Sequence, residues 1–206
     1  MKYKLLVIAL LIVLASVAYI SYNMFLQKEE MPRIEGTKIL VILYKGFDTK
    51  EYQYVRENIE KQGGEVIVAS FTKEPIVGQG GAIVPDVTVH EVDLSEINAI
   101  FIPGGNSPRN IISHPDSEVV YELVRKAYSE GKIIAAICHG PWVLAKAGVV
   151  EGKKVMGHDD VVADLKKSGG IITGGLVVRD GNIITAQFEG LDQFTRELIK
   201  ALAERK

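Results

Sequence analysis

Cysteine is scarce in this chain. Of 206 residues only Cys138 carries a thiol, so no internal disulfide can brace the fold. A surplus of positive charge is missing too: 24 Lys and Arg face 26 Asp and Glu, for a net charge of −2. There is no basic run either, which removes the electrostatic footprint of a nucleic-acid binder. His90, His114, His139 and His158 show no His-x-x-x-His or similar spacing, so local pattern offers no metal site, and no cofactor is expected. Internal repeats and low-complexity tracts are absent.

Long hydrophobic runs are confined to one place. Leu5 to Ile20 carries no charge, follows Lys2 and Lys4, and is succeeded downstream by Lys28-Glu29-Glu30. It is short for the ~20 residues that cross a bilayer, but Ser21 to Leu26 can extend it. One reading is a signal anchor, with Tyr19, Tyr22 and Phe25 at the far interface. The other is a signal peptide cleaved after Ser16-Val17-Ala18. Under both, residues 1–27 are a membrane or signal segment and the domain is expected outside the cytoplasm, anchored or secreted. Residues 28–36, with Pro32 and several charges, read as a linker, which leaves 37–206 as one domain with room for a core.

Within that domain short apolar runs alternate with helical periodicity. Lys38 to Tyr44, Glu65 to Ser70, Ile97 to Ile102 and Lys132 to Ile137 read as buried strands. Helices are expected from about Thr49 to Gln62, from Asp116 to Glu130 with Val120, Leu123, Val124 and Ala127 inward, and over Val161 to Lys167. Pro75 to Val92 reads as a hairpin or irregular excursion. Lys153 to Met156, Ile171 to Thr173, Leu176 to Arg179 and Asn182 to Ala186 read as further strands, the last two joined by a turn at Asp180-Gly181. Leu191, Phe194, Leu198, Ala201 and Leu202 mark a closing amphipathic helix. Such alternation predicts an α/β fold, a mostly parallel sheet covered by helices on both faces. Ligands in these sheets bind beyond the carboxyl ends of the strands, where Tyr44, Gly104-Gly105 and Cys138 would meet.

Cys138 falls where the strand ending at Ile137 must turn into a helix. His139, Gly140 and Pro141 follow, then Trp142 to Ala147, closed by Gly148. A thiol at a helix N-terminus meets unpaired amides and partial positive charge, which favour thiolate. Amides at such an elbow can also hold an oxyanion. The bland counterpart is a buried structural cysteine. Glu51 shares a helix face with Val55 and Ile59 and would point inward. It could meet the thiol as a protonated partner, or simply complete a capping box begun at Asp48.

These residues carry a resemblance. Phe47-Asp48-Thr49-Lys50-Glu51, Ile102-Pro103-Gly104-Gly105 with Pro108, and Ala136-Ile137-Cys138-His139-Gly140-Pro141 resemble the ThiJ/PfpI superfamily, in its PfpI-like subgroup. Ala147 to Val155 and Asp180-Gly181-Asn182 continue the similarity, from about Lys38 to the C-terminus. The resemblance implies a flavodoxin-like fold, a nucleophile at Cys138, a protonated Glu51, an oxyanion pocket that uses the amides of Gly105 and His139 with Gly104 and Gly140 as binding residues beside them, and a homo-oligomer. His158 matches a histidine found near the cysteine in other branches; otherwise it is a surface residue before a helix capped by Asp159 or Asp160. Arg109 departs from the pattern. In the archetypal intracellular protease a glutamate stands there and orients the histidine across a subunit boundary, and arginine cannot accept an imidazole proton. The expected activity is a cysteine-dependent, peptidase-like hydrolase acting on a peptide or small carbonyl substrate. The alternatives are a glyoxalase or deglycase working on small α-oxoaldehydes, and a non-catalytic oxidative-stress sensor or chaperone.

Overall fold

The computed structural model describes residues 3, 13–17, 19 and 31–205. The chain divides into two compact units, Met1–Met31 and Pro32–Lys206. Most of the expected membrane or signal segment, 1–27, lies outside the described residues. Among those described, no helix is long and apolar enough to cross a membrane. The expected linker 28–36 is split by the unit boundary. From Pro32 onward it belongs to the larger unit, where Ile34 is fully buried and its amide donates to the carbonyl of Gln62.

The larger unit is built on a seven-stranded sheet. In chain order its strands are β1 (Lys38–Ile42), β2 (Glu65–Ser70), β5 (Val87–Thr88), β6 (Ala99–Ile102), β7 (Ile133–Ile137), β10 (Val177–Asp180) and β11 (Ile183–Ala186). They lie in the order β10-β11-β7-β6-β1-β2-β5, parallel except for the β10/β11 pair. From β1 the chain moves outward to β2, then returns to β6 on the other side and continues to β7. The crevice at that reversal is where open α/β sheets bind ligands. Two small two-stranded sheets are separate: the hairpin of β3 (Ile76–Val77) and β4 (Ala82–Ile83), and the parallel pair β8 (Lys154–Val155) and β9 (Ile171–Ile172).

Helices cover both faces because successive residues of the central strands are apolar on both sides. Leu40, Ile42, Ile100, Ile102, Ile134 and Ala136 form one buried cluster with Val120, Val124 and Ala127 of α3 (Ser117–Ser129), and with Val143 and Leu144 of α4 (Pro141–Ala147). The other face takes α1 (Thr49–Lys61) and α6 (Leu191–Ala203), where Phe101 of β6 meets Phe194 at 5.7 Å between ring centroids. Here the apolar stripe of α6 (Leu191, Phe194, Leu198, Ala201 and Leu202) is buried throughout. Two further helices, α2 (Ser107–Ile112) and α5 (Asp159–Lys167), complete the unit. The flavodoxin-like architecture is the one expected. The α2 turn and the edge strand β5 were not expected, and the last hairpin turns on Gly181-Asn182 instead of Asp180-Gly181.

Candidate active site

Cys138 ends β7 in a left-handed conformation, φ 58°, and is the one non-glycine residue at positive φ among those described. That backbone costs roughly 1–2 kcal/mol for an L-residue and persists only where its surroundings impose it. Here they do. The Cys138 amide donates to the carbonyl of Ala186 at 2.9 Å, and its carbonyl accepts from the His158 amide at 2.8 Å. Gly140 follows so close to β6 that a Cβ on it would lie 2.2 Å from the Ile102 carbonyl oxygen. The turn directs the thiol into the crevice while leaving the residue 8 % exposed.

Glu51 arrives from the opposite side of the crevice. Phe47, fully buried, bridges to Gly105, the Asp48 amide donates to the Gly104 carbonyl at 3.2 Å, and Asn106 N–H reaches Gly46 O at 2.8 Å. Gly105 has φ 70°, and a Cβ there would stand 2.5 Å from Gly46 O, so this loop contact requires glycine. Pairing of the two loops sets the first turn of α1 beneath Gly104, whose amide donates to Glu51 Oε2 at 2.5 Å. Asp48 caps α1 by accepting from the Glu51 amide at 3.0 Å, but the return half of a capping box is missing. The Glu51 carboxyl is buried in the crevice beside Cys138, and its Oε1 has no geometric hydrogen-bond partner.

Gly104 N–H is committed to Glu51, and Gly140 N–H closes a turn onto Ile137 O at 2.8 Å. The amides of Gly105 and His139 instead face the Cys138 sulfur. Gly104 and Gly140 serve by lacking side chains: a Cβ on Gly104 would sit 2.7 Å from Cys138 Cβ and 3.0 Å from both Glu51 Oε2 and the His139 amide.

On the solvent side, His139 Nδ1 lies 3.2 Å from Cys138 Sγ and its Nε2 3.4 Å from Asp160 Oδ2. The ring stacks on His158 at 4.3 Å and 22°. His158, not Asp159 or Asp160, caps α5: its Nδ1 accepts from the Asp160 amide at 3.2 Å. The acid facing His139 thus comes from the same chain, and Asp160 had been read only as a cap. The hint available in the sequence was His158 with an acid two residues later, opening a helix. Of the acids on the 75–92 excursion and just before it, Glu74 and Asp86 do not face His139. Glu74 is exposed ahead of the excursion, and Asp86 accepts from the Val68 amide at 2.8 Å, at the sheet edge.

His139, His158 and Asp160 place one ligand atom each within 4.8 Å of one another, so the fold assembles a donor set that local spacing did not reveal. Arg109, on α2, lays its guanidinium over the Trp142 ring at 5.5 Å, and Trp142 Nε1–H donates to Asp164.

Burial dominates the electrostatics. It pushes the Cys138 thiol up to about 12, an ionised Glu51 adds to the rise, and the amides of Gly105 and His139 pull the other way. This reverses the expectation of an acidified thiol: α4 is a helix of 7 residues, and its end does not outweigh desolvation. Burial likewise pushes Glu51 up to about 7, against the pull of the Gly104 amide. The pair is coupled, and the pocket tolerates one negative charge, which rests on Glu51 while the sulfur keeps its proton. His139 is held below the ordinary histidine range by burial first, with His158 and Arg109 acting in the same direction and Asp160 opposing them.

The DJ-1/PfpI family model matches residues 37–201. "Deglycase TK1284" of Thermococcus kodakarensis and "Deglycase PfpI" of Pyrococcus furiosus are each 35 % identical over 167 residues, covering 80 % of this chain and 99 % of theirs. The crystal structure of Drosophila melanogaster DJ-1beta superposes with a TM-score of 0.73 at 28 % identity, over 82 % of this chain and 91 % of that one. The chain belongs to the DJ-1/PfpI family.

Proposed function

We propose that this DJ-1/PfpI-family chain is a cysteine-dependent enzyme of the deglycase type, acting through Cys138 on adducts of small α-oxoaldehydes. The observation that carries this reading is the pocket itself. A thiol only 8 % exposed is within reach of a three-carbon aldehyde but poorly placed for a peptide backbone, and it has a buried acid on one side and a histidine 3.2 Å away on the other. Relatives named deglycases, matched over nearly their whole length, support it. The peptide-hydrolase expectation finds support only at the level of the family.

The chemistry follows from where the protons sit. The adduct first expels its own thiol and regenerates the aldehyde; near pH 7 Glu51 is partly ionised, so it then takes the Cys138 thiol proton as sulfur attacks the aldehyde carbon. The S–C bond forms, the C=O π bond opens, and the oxyanion is received by the amides of Gly105 and His139. His139, kept neutral, moves a proton from the former aldehyde carbon to the adjacent carbonyl carbon, while Glu51 passes its proton to the former ketone oxygen and the oxyanion collapses to C=O, leaving a thioester of a 2-hydroxy acid. Water then cleaves the thioester, returning the thiol. For the hemithioacetal of methylglyoxal with a free thiol, the balance is adduct plus water giving lactate plus that thiol. No oxidant or reductant is needed.

The test offers the full chain methylglyoxal hemithioacetal and peptide amides in parallel, with Cys138→Ala as control. Lactate release dependent on Cys138, with the peptides intact, is expected. Peptide cleavage without lactate would restore the hydrolase reading, and neither product would leave the oxidative-sensor reading.

A further inference from the structure

Every other arginine among the described residues has a partner. Arg33, Arg56, Arg125, Arg179 and Arg196 each hold a carboxylate, and Arg205 donates to the Gly131 carbonyl. Arg109 is exposed, and among the described residues no acid lies within ion-pair distance of its guanidinium. The two nearby acids are already engaged, Asp164 by the Trp142 indole and Asp160 by His139 and His158. The guanidinium is nonetheless held in place. It lies on the Trp142 ring at 5.5 Å, and that ring is fixed by Asp164 and stands 6.4 Å from the ring of His139. Among the described residues no hydrogen bond or ion pair engages its N–H donors, which leaves open the fork that matches a carboxylate. The charge is near enough to the thiol's histidine to influence its protonation.

We infer that Arg109, held on Trp142, is a carboxylate-binding subsite at the mouth of the Cys138 pocket, and that the preferred substrates carry a carboxylate near the reacting carbon. This rests on the cysteine-dependent reading above for its enzymatic consequence, though not for the subsite itself. A stacked arginine serving only as a brace would leave no preference between charged and neutral substrates. An arginine serving only to keep His139 neutral would change both alike.

Two experiments on the full chain separate these. The first compares methylglyoxal hemithioacetals of N-acetylcysteine, which bears a carboxylate, and of N-acetylcysteine amide, which does not. The wild-type chain should favour the carboxylate form by about tenfold in kcat/KM, mostly through KM, as a bidentate charge-assisted contact permits. Arg109→Ala should bring the ratio near one, Arg109→Lys should restore only part of it, and Arg109→Glu should invert it. Taking the ratio on one variant cancels any change in His139. The second needs no turnover: alkylation of Cys138 by anionic iodoacetate against neutral iodoacetamide. Their rate ratio should fall about tenfold on Arg109→Ala and recover incompletely with lysine, which keeps charge but not the fork. A wild-type kcat/KM ratio near one, or ratios unchanged by Arg109→Ala, overturns the subsite. If neither hemithioacetal is turned over but the alkylation ratio behaves as expected, the deglycase reading fails and the subsite stands.

Discussion

The crevice has two walls built to opposite specifications. One, formed by Glu51, Gly104 and Cys138, is almost free of water, and the Gly104 amide fixes one oxygen of the buried carboxyl. The other, formed by His139, His158 and Asp160, is half open, with side-chain exposures of 21 %, 43 % and 61 %. Charge is expensive in the first wall, so its two acids must share a proton. In the second wall water screens the charges. The wet wall can be retuned by substitution, whereas the dry wall has to be built correctly.

Four substitutions probe that contrast. Cys138→Ala should abolish lactate formation, a loss of at least about 10⁴-fold as for other removed nucleophiles, while circular dichroism reports an intact fold. Glu51→Gln comes next, at roughly 10²- to 10⁴-fold for a lost proton acceptor. It should also lower the Cys138 pKa, because the carboxylate charge that raises it is gone, and iodoacetamide rate profiles against pH read this directly.

The Glu51 change has a second readout. Its folded pKa of about 7 lies above the ordinary 4.5, so the native state binds more protons than the unfolded chain between those values. Its contribution to stability is fully present below pH 4.5 and is lost as pH rises through about 7, by roughly 3 kcal/mol. Denaturant titrations at pH 4.5 and pH 8 should show that loss in the wild type relative to Glu51→Gln. Equal pH dependence in both would mean that the carboxyl is not desolvated.

Gly104→Ala tests the dry wall without replacing a titrating group. Its Cβ would press on Cys138 Cβ at 2.7 Å, so a cost of about 1–3 kcal/mol in chemical denaturation and about a tenfold drop in rate are expected. Asp160→Asn is the wet counterpart and the mildest. It removes a carboxylate that raises the His139 pKa, so the acid limb of the pH–rate profile should move to lower pH. Stability should change by no more than about 0.5 kcal/mol, since an exposed acid is replaced by an isostere. A large destabilisation by Asp160→Asn, or none by Gly104→Ala, would erase the distinction between the walls.

The dry wall was the more legible from sequence. Its geometry follows from local rules: a short apolar strand, a nucleophile before Gly140-Pro141, and a glutamate in register with Val55 and Ile59. The wet wall depends on contacts that no local pattern announces. Asp160 meets His139 only because the His158 amide donates to the Cys138 carbonyl and the Met156 amide to Thr185 Oγ1 at 2.9 Å, docking the β8–α5 loop against the elbow. Trp142 and Arg109 meet because α2 packs against α4, and the short α2 has too few residues to show a period. The thiol pKa was misjudged because sequence shows a helix beginning after Cys138 but not how little water reaches it.

The site draws on four stretches, Asp48–Glu51, Gly104–Arg109, Cys138–Trp142 and His158–Asp160, which meet only after β1, β6 and β7 have paired. Those pairings are parallel and join distant parts of the chain, so they are the slow, entropically demanding steps of assembly. Catalytic competence is therefore a late signal in folding. After dilution from denaturant, helical signal should return first, and Cys138 should acquire its native pKa only in the final phase. A chain interrupted before α5 would hold its thiol, its histidine and its glutamate, and still lack the wall that gives the histidine its acid.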